Sequence, residues 1–316
     1  MADHHAPGSS PLAASTGDAR ADETLRALVT ACEAAFSGRV RSYLLSGSYA
    51  EGDAIPESDL DLGVLFRGAV TDDERQRLYM LARAIEGPGA IRLDVLALDE
   101  RQYLRNATAD APEAITVYGD DVRGELTLEP LARARARYLS AATYYIWQMR
   151  GLRPGLVWPL DYPDPDGEFF GYERYGYFNG DGAEEMYTPG ARTMLNCATM
   201  IATARLTHAG QRVPSKRRCV EWYAGLAPGE SAAWLAALYA ACKGRWRYRV
   251  PSDPAERVEL RALCAPMLAF ENDFLSFARP LNESALAAKD EYSWPRACDR
   301  LRWVAYPDLT PPDSEE

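Results

Sequence analysis

The stretch LLSGSYAEGDAIPESDLDLGVLF, residues 44 to 66, is the feature that most constrains the fold of this chain. Its first apolar run ends in the small residues Gly47 and Ser48, and its second apolar run contains Asp59 and Asp61. This order predicts two buried strands, with a Gly-Ser turn after the first. Because side chains alternate across a strand, the two aspartates lie on one face and the leucines beside them point into the core.

The segments around this stretch predict an α/β unit followed by a helical one. Apolar spacing and turn residues predict helices over 23–36 and 71–87, and strands over 39–48, 58–66 and 91–99. Beyond about residue 130 the pattern changes to long helical segments, over 128–151, 188–210, 215–226, 230–244 and 253–281. We therefore expect a disordered tail over 1–21, an α/β domain over 22–129 and an all-α helical domain over 130–316.

Composition and charge exclude several classes of protein. The net charge is -11, from 35 basic and 46 acidic residues, and it repels a polyanion, so nucleic acid is disfavoured as the main partner. No run of 18 apolar residues occurs, and the N-terminus lacks the pattern of a secretory signal, so no membrane partner is expected. Six cysteines without a CxxC pair and three histidines suggest neither a zinc site nor a disulfide framework. A cytoplasmic location fits best.

A third aspartate completes a candidate metal site. In IRLDVLAL, residues 91 to 98, alternation turns Asp94 away from its apolar neighbours, so an adjacent strand can bring it to the face of Asp59 and Asp61. Three carboxylates can hold two Mg²⁺ ions about 3.5 to 4 Å apart, which activates an attacking oxygen and stabilises a leaving pyrophosphate. Gly47 lets the backbone approach a phosphate, and Ser48 offers a hydroxyl. Taken alone, two acids that alternate on a strand are also typical of a solvated sheet face.

The combination resembles the nucleotidyltransferase superfamily that includes DNA polymerase β. An apolar strand ends in Gly47-Ser48, a gap follows, then Asp59-x-Asp61, and a later strand carries Asp94. The resemblance implies a mixed-sheet core that binds a nucleoside triphosphate with Mg²⁺. It also implies that the three aspartates are catalytic residues and metal ligands, and that Gly47 and Ser48 bind the nucleotide.

The helical half is similar to a narrower branch. AGQRVPSKRRCVEWY, residues 209 to 223, resembles the Ser-Lys helix start and following Trp of streptomycin- and spectinomycin-type aminoglycoside adenylyltransferases. That resemblance implies that Lys216 reaches across an interdomain cleft to the triphosphate, and that Asp94 is the catalytic base, a metal ligand or both. The implied reaction transfers a nucleoside monophosphate, AMP from ATP in those enzymes, to a hydroxyl of a small cationic molecule such as an aminoglycoside, with release of pyrophosphate.

Two other functions stay open at this point. The acceptor could belong to antibiotic or secondary-metabolite biosynthesis, or it could be a protein that the enzyme modifies. The fold could also serve as a catalytically inactive, antitoxin-like binding module, although the retained carboxylates repel one another unless a cation is bound. The oligomeric state cannot be derived from the sequence.

Two further segments have a functional and a structural interpretation. Residues 154–187 are expected to form an inserted loop in the helical domain, and they interleave acids with aromatic residues, which would suit a cationic acceptor or would form a surface hairpin with its own aromatic core. Residues 243–250, KGRWRYRV, look like a nucleic-acid patch but in an acidic chain are more typical of the cationic end of a helix.

Overall fold

The structure, a computed structural model, describes residues 11–86, 91–173 and 190–309. The chain divides into two compact units between Glu129 and Pro130. The first unit is a sheet with helices, and the second is built mainly of helices. This agrees with the expected fold class, an α/β core followed by a helical domain.

The first unit is organised around a four-stranded mixed sheet. Its strands are β1 (Val40–Ser46), β2 (Leu60–Phe66), β3 (Leu93–Asp99) and β4 (Ile115–Gly119), in the order β3-β2-β1-β4. Strand β1 is antiparallel to β2 and β4, whereas β2 and β3 are parallel. The sequence did not predict β4, because its five residues are too few to show a clear alternation.

Four α-helices lie in the described part of this unit, and two of them cover one face of the sheet. The helices are α1 (Ala19–Ala35), α2 (Gly47–Ala50), α3 (Asp72–Ile85) and α4 (Glu100–Arg105). Leu25 and Leu28 of α1 and Leu78 of α3 pack on Leu62 and Val64 of β2, and all five are at most 2% exposed. This apolar layer holds the strands from one side and leaves part of the opposite face of the sheet exposed.

The segment before α1 is more ordered than the sequence suggested. A disordered tail was expected over 1–21, but the Ala13 N–H donates to the Val117 carbonyl at 2.8 Å. The hydroxyls of Ser15 and Thr16 donate to the Asp22 carboxylate at 2.6 and 2.8 Å. Residues 11–18 are therefore held against the sheet and α1, and the rest of the expected tail, 1–10, lies outside the described residues.

The second unit contains seven long helices among the residues described. They are α5 (Leu131–Met149), α6 (Arg192–His208), α7 (Lys216–Leu226), α8 (Glu230–Tyr239), α9 (Pro254–Cys264), α10 (Met267–Ala288) and α11 (Ser293–Trp303). A π-helical turn, Ala240–Arg245, continues α8, and two short strands, β5 (Leu156–Val157) and β6 (Val304–Ala305), pair in parallel. None of the helices in the described ranges is long and apolar enough to cross a membrane.

One helical prediction is wrong in its extent. The segment 253–281 reads as a single helix, but α9 ends at Cys264 and α10 begins at Met267. Pro266 lies at the break, where its missing N–H and its ring are incompatible with a continuous helix. The Tyr162 hydroxyl donates to the Ala265 carbonyl at 2.9 Å, which satisfies an acceptor that the break releases.

The described part of the acid-and-aromatic segment, up to Glu173, is mostly structural. Phe169 and Tyr172 are at most 2% exposed and belong to the apolar core of the helices. Tyr172 donates its hydroxyl to Glu271 at 2.8 Å, and Glu271 forms a buried ion pair with Arg150 at 2.7 Å. Glu168 pairs with Arg257. The remainder of the expected insert, 174–187, lies outside the described residues.

The basic segment at the end of α8 agrees with the structural interpretation. Arg245 pairs with Glu259 at 2.5 Å and stacks on the Trp246 ring at 4.6 Å. The side chain of Lys243 is buried, and its ammonium group lies over the ring of Tyr239, 5.6 Å from the centroid. These contacts within the protein leave no reason to assign a nucleic-acid patch here.

Candidate active site

Asp61 and Asp94 are direct partners in neighbouring strands. The parallel register pairs Asp61 of β2 with Asp94 of β3, next to the buried pair Leu60 and Leu93. Because paired residues in adjacent strands about 4.8 Å apart point to the same face, the two carboxylates project side by side. Asp94 is exposed and Asp61 is half-buried, so both are open to a ligand.

Asp59 immediately precedes β2, which begins at Leu60. The turn that leads to it is held by Ser58, whose buried hydroxyl accepts the Ile55 N–H at 3.0 Å. The Ser58 N–H in turn donates to the Ile55 carbonyl at 2.8 Å. The two bonds fix the chain just before Asp59, which is half-buried.

The Gly-Ser turn sits directly against the Asp61 carboxylate. Ser46, the last residue of β1, pairs with Asp61 in the antiparallel register, and Gly47 follows with a φ of +65°. A Cβ placed on Gly47 would lie 2.0 Å from Oδ2 of Asp61. Position 47 therefore requires glycine for two reasons: its backbone is left-handed, and the Asp61 carboxylate occupies the space of a side chain.

Ser48 lies in the single turn of α2 that follows, and it is half-buried. Its carbonyl accepts the Asp53 N–H at 2.9 Å, and the Gly47 carbonyl accepts the Glu51 N–H at 3.1 Å. The neighbouring Tyr49 is buried, and burial raises the pKa of its hydroxyl, with the negative charges of Asp18 and Asp59 adding to the shift. Tyr49 thus anchors in the core the turn that carries Ser48.

Lys216 belongs to the second unit. It is the first residue of α7, and its side chain is exposed. Ser215 caps the helix by accepting the Arg218 N–H at 3.2 Å, which fixes the start of α7 at the Ser-Lys pair. The structure therefore brings five of the six predicted site residues to one edge of the sheet, and it places the sixth at a helix start.

The three aspartates do not form a complete metal site by themselves. Among residues 11–86, 91–173 and 190–309, no group of three His, Cys, Asp or Glu side chains is arranged to hold an ion. Mg²⁺ is nonetheless commonly bound through one or two carboxylates together with waters and substrate phosphates. The donors here, hard carboxylate oxygens on one open face, fit that incomplete kind of site.

Comparison with known proteins finds a family match within the first unit. Residues 25–117 match the family model described as a nucleotidyltransferase domain. The resemblance to nucleotidyltransferases is confirmed. The matched region contains all five site residues of the sheet, and the activity that it indicates is nucleotidyl transfer.

Two further comparisons add little to this assignment. The crystal structure of spectinomycin adenyltransferase AAD(9) from Enterococcus faecialis with ATP and spectinomycin aligns with 13% identity and a TM-score of 0.44. The alignment covers 79% of this chain and 98% of that one. No curated protein matches the sequence. The similarity is too low to assign a substrate.

The sequence analysis missed two residues that continue the face of the aspartates. Gly63 and Leu96 are also register partners in β2 and β3, two residues beyond Asp61 and Asp94. The two-residue alternation that predicted the shared face of the aspartates contains the signal for both. They were overlooked because neither carries a polar group.

Proposed function

We propose that the protein transfers AMP from ATP to a hydroxyl group of a small, cationic molecule such as an aminoglycoside, with Mg²⁺ as the cofactor and pyrophosphate as the second product. The observation that carries this proposal is the pairing of Asp61 with Asp94 on an open face, with the Gly47 turn against Asp61. It places adjacent carboxylates beside a backbone that can approach a phosphate.

The reaction is an in-line displacement at the α-phosphorus. The acceptor oxygen forms a bond to phosphorus, the bond to the pyrophosphate oxygen breaks, and the hydroxyl proton is transferred to Asp94. Asp94 suits this role because its carboxylate is exposed and therefore accessible to the hydroxyl of a bound acceptor. The products are an adenylylated acceptor and pyrophosphate.

Asp59, Asp61 and Asp94 would hold the Mg²⁺. When bound, the ion supplies positive charge that offsets the phosphate charge as it develops. Gly47 and Ser48 would bind the triphosphate next to Asp61. Lys216 is proposed as a second phosphate contact on the basis of the sequence resemblance, and its exposed position at a helix N-terminus suits an anionic ligand.

The net charge of -11 supports a cationic acceptor. The described part of the acid-and-aromatic segment supports it less, because Phe169 and Tyr172 are used in the core and Glu168 is used in an ion pair. If the acceptor is polycationic, its KM should rise steeply with added salt, since exposed charges are screened beyond about 8 Å at physiological ionic strength. A flat response would favour a neutral acceptor from a biosynthetic pathway.

The direct test is incubation of the protein with labelled ATP, GTP, CTP and UTP, Mg²⁺ and a panel of aminocyclitols. The proposal predicts pyrophosphate release and an acceptor whose mass rises by that of an adenylyl group (AMP less one water), with ATP as the donor. If only GTP, CTP or UTP supported pyrophosphate release, the nucleotide donor would be that triphosphate and not ATP. Absence of any transfer would contradict the proposed function.

A further inference from the structure

The face that carries the aspartates continues into an apolar surface. Leu96 of β3 is 64% exposed, although it is a large apolar side chain in a strand. Its register partner, Gly63 of β2, has no side chain of its own beside Leu96. We call Gly63, Leu96 and Leu98 the apolar shelf.

The shelf rests on a packed base. A Cβ placed on Gly63 would lie 2.6 Å from Cδ1 of Leu98, so Leu98 leans over the glycine and occupies the space that a side chain would fill. Leu98 in turn packs on the small core around Leu44 and Leu65, which are at most 2% exposed. The surface beside Leu96 is therefore apolar and continuous with this small core.

The shelf lies close to the proposed base. Leu96 follows Asp94 by two residues on the same face of β3, which corresponds to about 6.6 Å along the strand. A six-membered ring whose hydroxyl reaches Asp94 could cover that distance. A substrate group that extends from the reacting hydroxyl along β3 would therefore meet Leu96.

The strand order indicates which of the two substrates, ATP or the acceptor, would lie at the apolar shelf. The Gly47 turn follows β1, Asp61 lies on β2, and Asp94 and Leu96 lie on β3, so β2 separates the turn from the shelf. An in-line displacement requires the acceptor oxygen and the leaving pyrophosphate on opposite sides of the phosphorus. With the triphosphate at the Gly47 turn, the acceptor falls on the β3 side, where the shelf lies.

We propose that the apolar shelf is the acceptor-recognition surface, and that Leu96 is a specificity-determining residue that packs against a C–H face of the acceptor. The inference rests on the proposed function and deepens it. It assigns the acceptor to alcohols with a rigid apolar face beside the reactive hydroxyl, as in a cyclitol or sugar ring, rather than to flexible linear polyols. The burial of Leu96 by such a ring contributes to affinity through apolar surface removed from water.

A single exposed leucine is common on protein surfaces and needs no function by itself. Val258 of α9, which is 70% exposed, is such a residue and provides a matched control. The two differ in position, because Leu96 shares its face and its strand with Asp94 whereas Val258 lies in the helical unit. A substitution that acts at Leu96 and not at Val258 therefore reports on the site.

The test compares Leu96→Asn, Leu96→Met and Val258→Asn in steady-state pyrophosphate release, with spectinomycin and streptomycin as probes. Leu96→Asn should raise the acceptor KM about tenfold, in the range measured for apolar contacts of this size, and leave the ATP KM unchanged. Leu96→Met keeps the apolar contact, so its acceptor KM should stay close to that of the wild type. Val258→Asn should change neither constant, and thermal melting checks that each variant is folded.

An acceptor KM of Leu96→Asn equal to that of the wild type, or an increase confined to the ATP KM, would overturn the inference. Failure of the proposed function gives a different pattern, because Asp61→Asn would then retain the wild-type rate or the wild-type protein would transfer AMP to neither probe. A wild-type enzyme that prefers linear polyols over ring alcohols of equal charge would also contradict the shelf.

Discussion

The Asp61 carboxylate occupies the space that a side chain at Gly47 would need. A Cβ on Gly47 would lie 2.0 Å from Oδ2 of Asp61, and the glycine adopts a φ of +65°. The turn after β1 and the carboxylate on β2 are thus fitted to each other. Under the proposed function, a phosphate bound by the turn would lie next to Asp61.

Gly47→Ala should therefore reduce transfer strongly. The added methyl group must displace the Asp61 carboxylate or the turn, and the left-handed backbone adds strain of about 1 kcal/mol or more. Gly52→Ala is the matched control, because Gly52 also has a positive φ, of +66°, but a Cβ there meets nothing within 4 Å. Pyrophosphate release should fall much further in Gly47→Ala than in the control, and equal rates would contradict the contact.

Lys216→Ala should weaken ATP binding and leave acceptor binding unchanged. A charge-assisted hydrogen bond to phosphate contributes about 1.5 to 3 kcal/mol, which corresponds to a rise of about tenfold or more in the ATP dissociation constant. Arg217→Ala is the control, since Arg217 is the adjacent exposed cation in α7. Calorimetric titrations in which both variants bind ATP like the wild type would remove Lys216 from the site.

The buried ion pair of Arg150 and Glu271 predicts a large effect on stability. Their side chains are 5% and 0% exposed, and Glu271 also accepts the Tyr172 hydroxyl. Glu271→Leu leaves the Arg150 guanidinium buried without its counter-charge and should cost about 3 to 5 kcal/mol of unfolding free energy. Glu221→Leu, which breaks the exposed pair with Arg218, should cost about 1 kcal/mol or less. Urea unfolding measures both, and similar losses would refute the distinction.

His208 predicts a loss of stability in mild acid. Burial lowers the pKa of His208 from 6.5 to about 4, and the positive charge of Arg135 adds to the shift. Between these values the unfolded chain binds more protons than the folded one, so the free energy of unfolding decreases as pH falls from 6.5 towards 4.

His208→Gln should flatten this part of the stability profile. Urea unfolding of the wild type and the variant at intervals between pH 7 and pH 4 provides the comparison. The variant is expected to lose less stability than the wild type over that window. Parallel profiles would mean that His208 is protonated alike in both states.

The chemistry-bearing part of the fold could be predicted from the sequence because it depends on local alternation. The common face of Asp59 and Asp61 follows from their spacing on one strand. The register that pairs Asp61 with Asp94 could not be derived in the same way, because a parallel register depends on the packing of the connecting helix α3 against the sheet. The tight contact of Gly47 with Asp61 is equally a product of three-dimensional packing.

The helical unit was predictable in type and less so in detail. The break between α9 and α10 depends on Pro266, which the apolar spacing alone conceals. The core position of Tyr172 depends on Glu271, which lies 99 residues away in the chain. Such long-range partners leave no local pattern, so the sequence left both interpretations of the acidic and aromatic segment open, whereas the structure places Phe169 and Tyr172 of its described part in the core.

The measurement that tests the central claim most directly is pyrophosphate release by Asp61→Asn and Asp94→Asn, with Asp73→Asn as the control. Asp73 is an exposed acid in the first turn of α3, and its substitution removes one charge outside the candidate site. The account predicts that Asp61→Asn and Asp94→Asn lose well over tenfold in rate, which corresponds to more than about 1.4 kcal/mol, with melting temperatures close to that of the wild type. If both variants kept more than about a tenth of the wild-type rate while Asp73→Asn behaved the same way, the paired carboxylates would not be the catalytic centre.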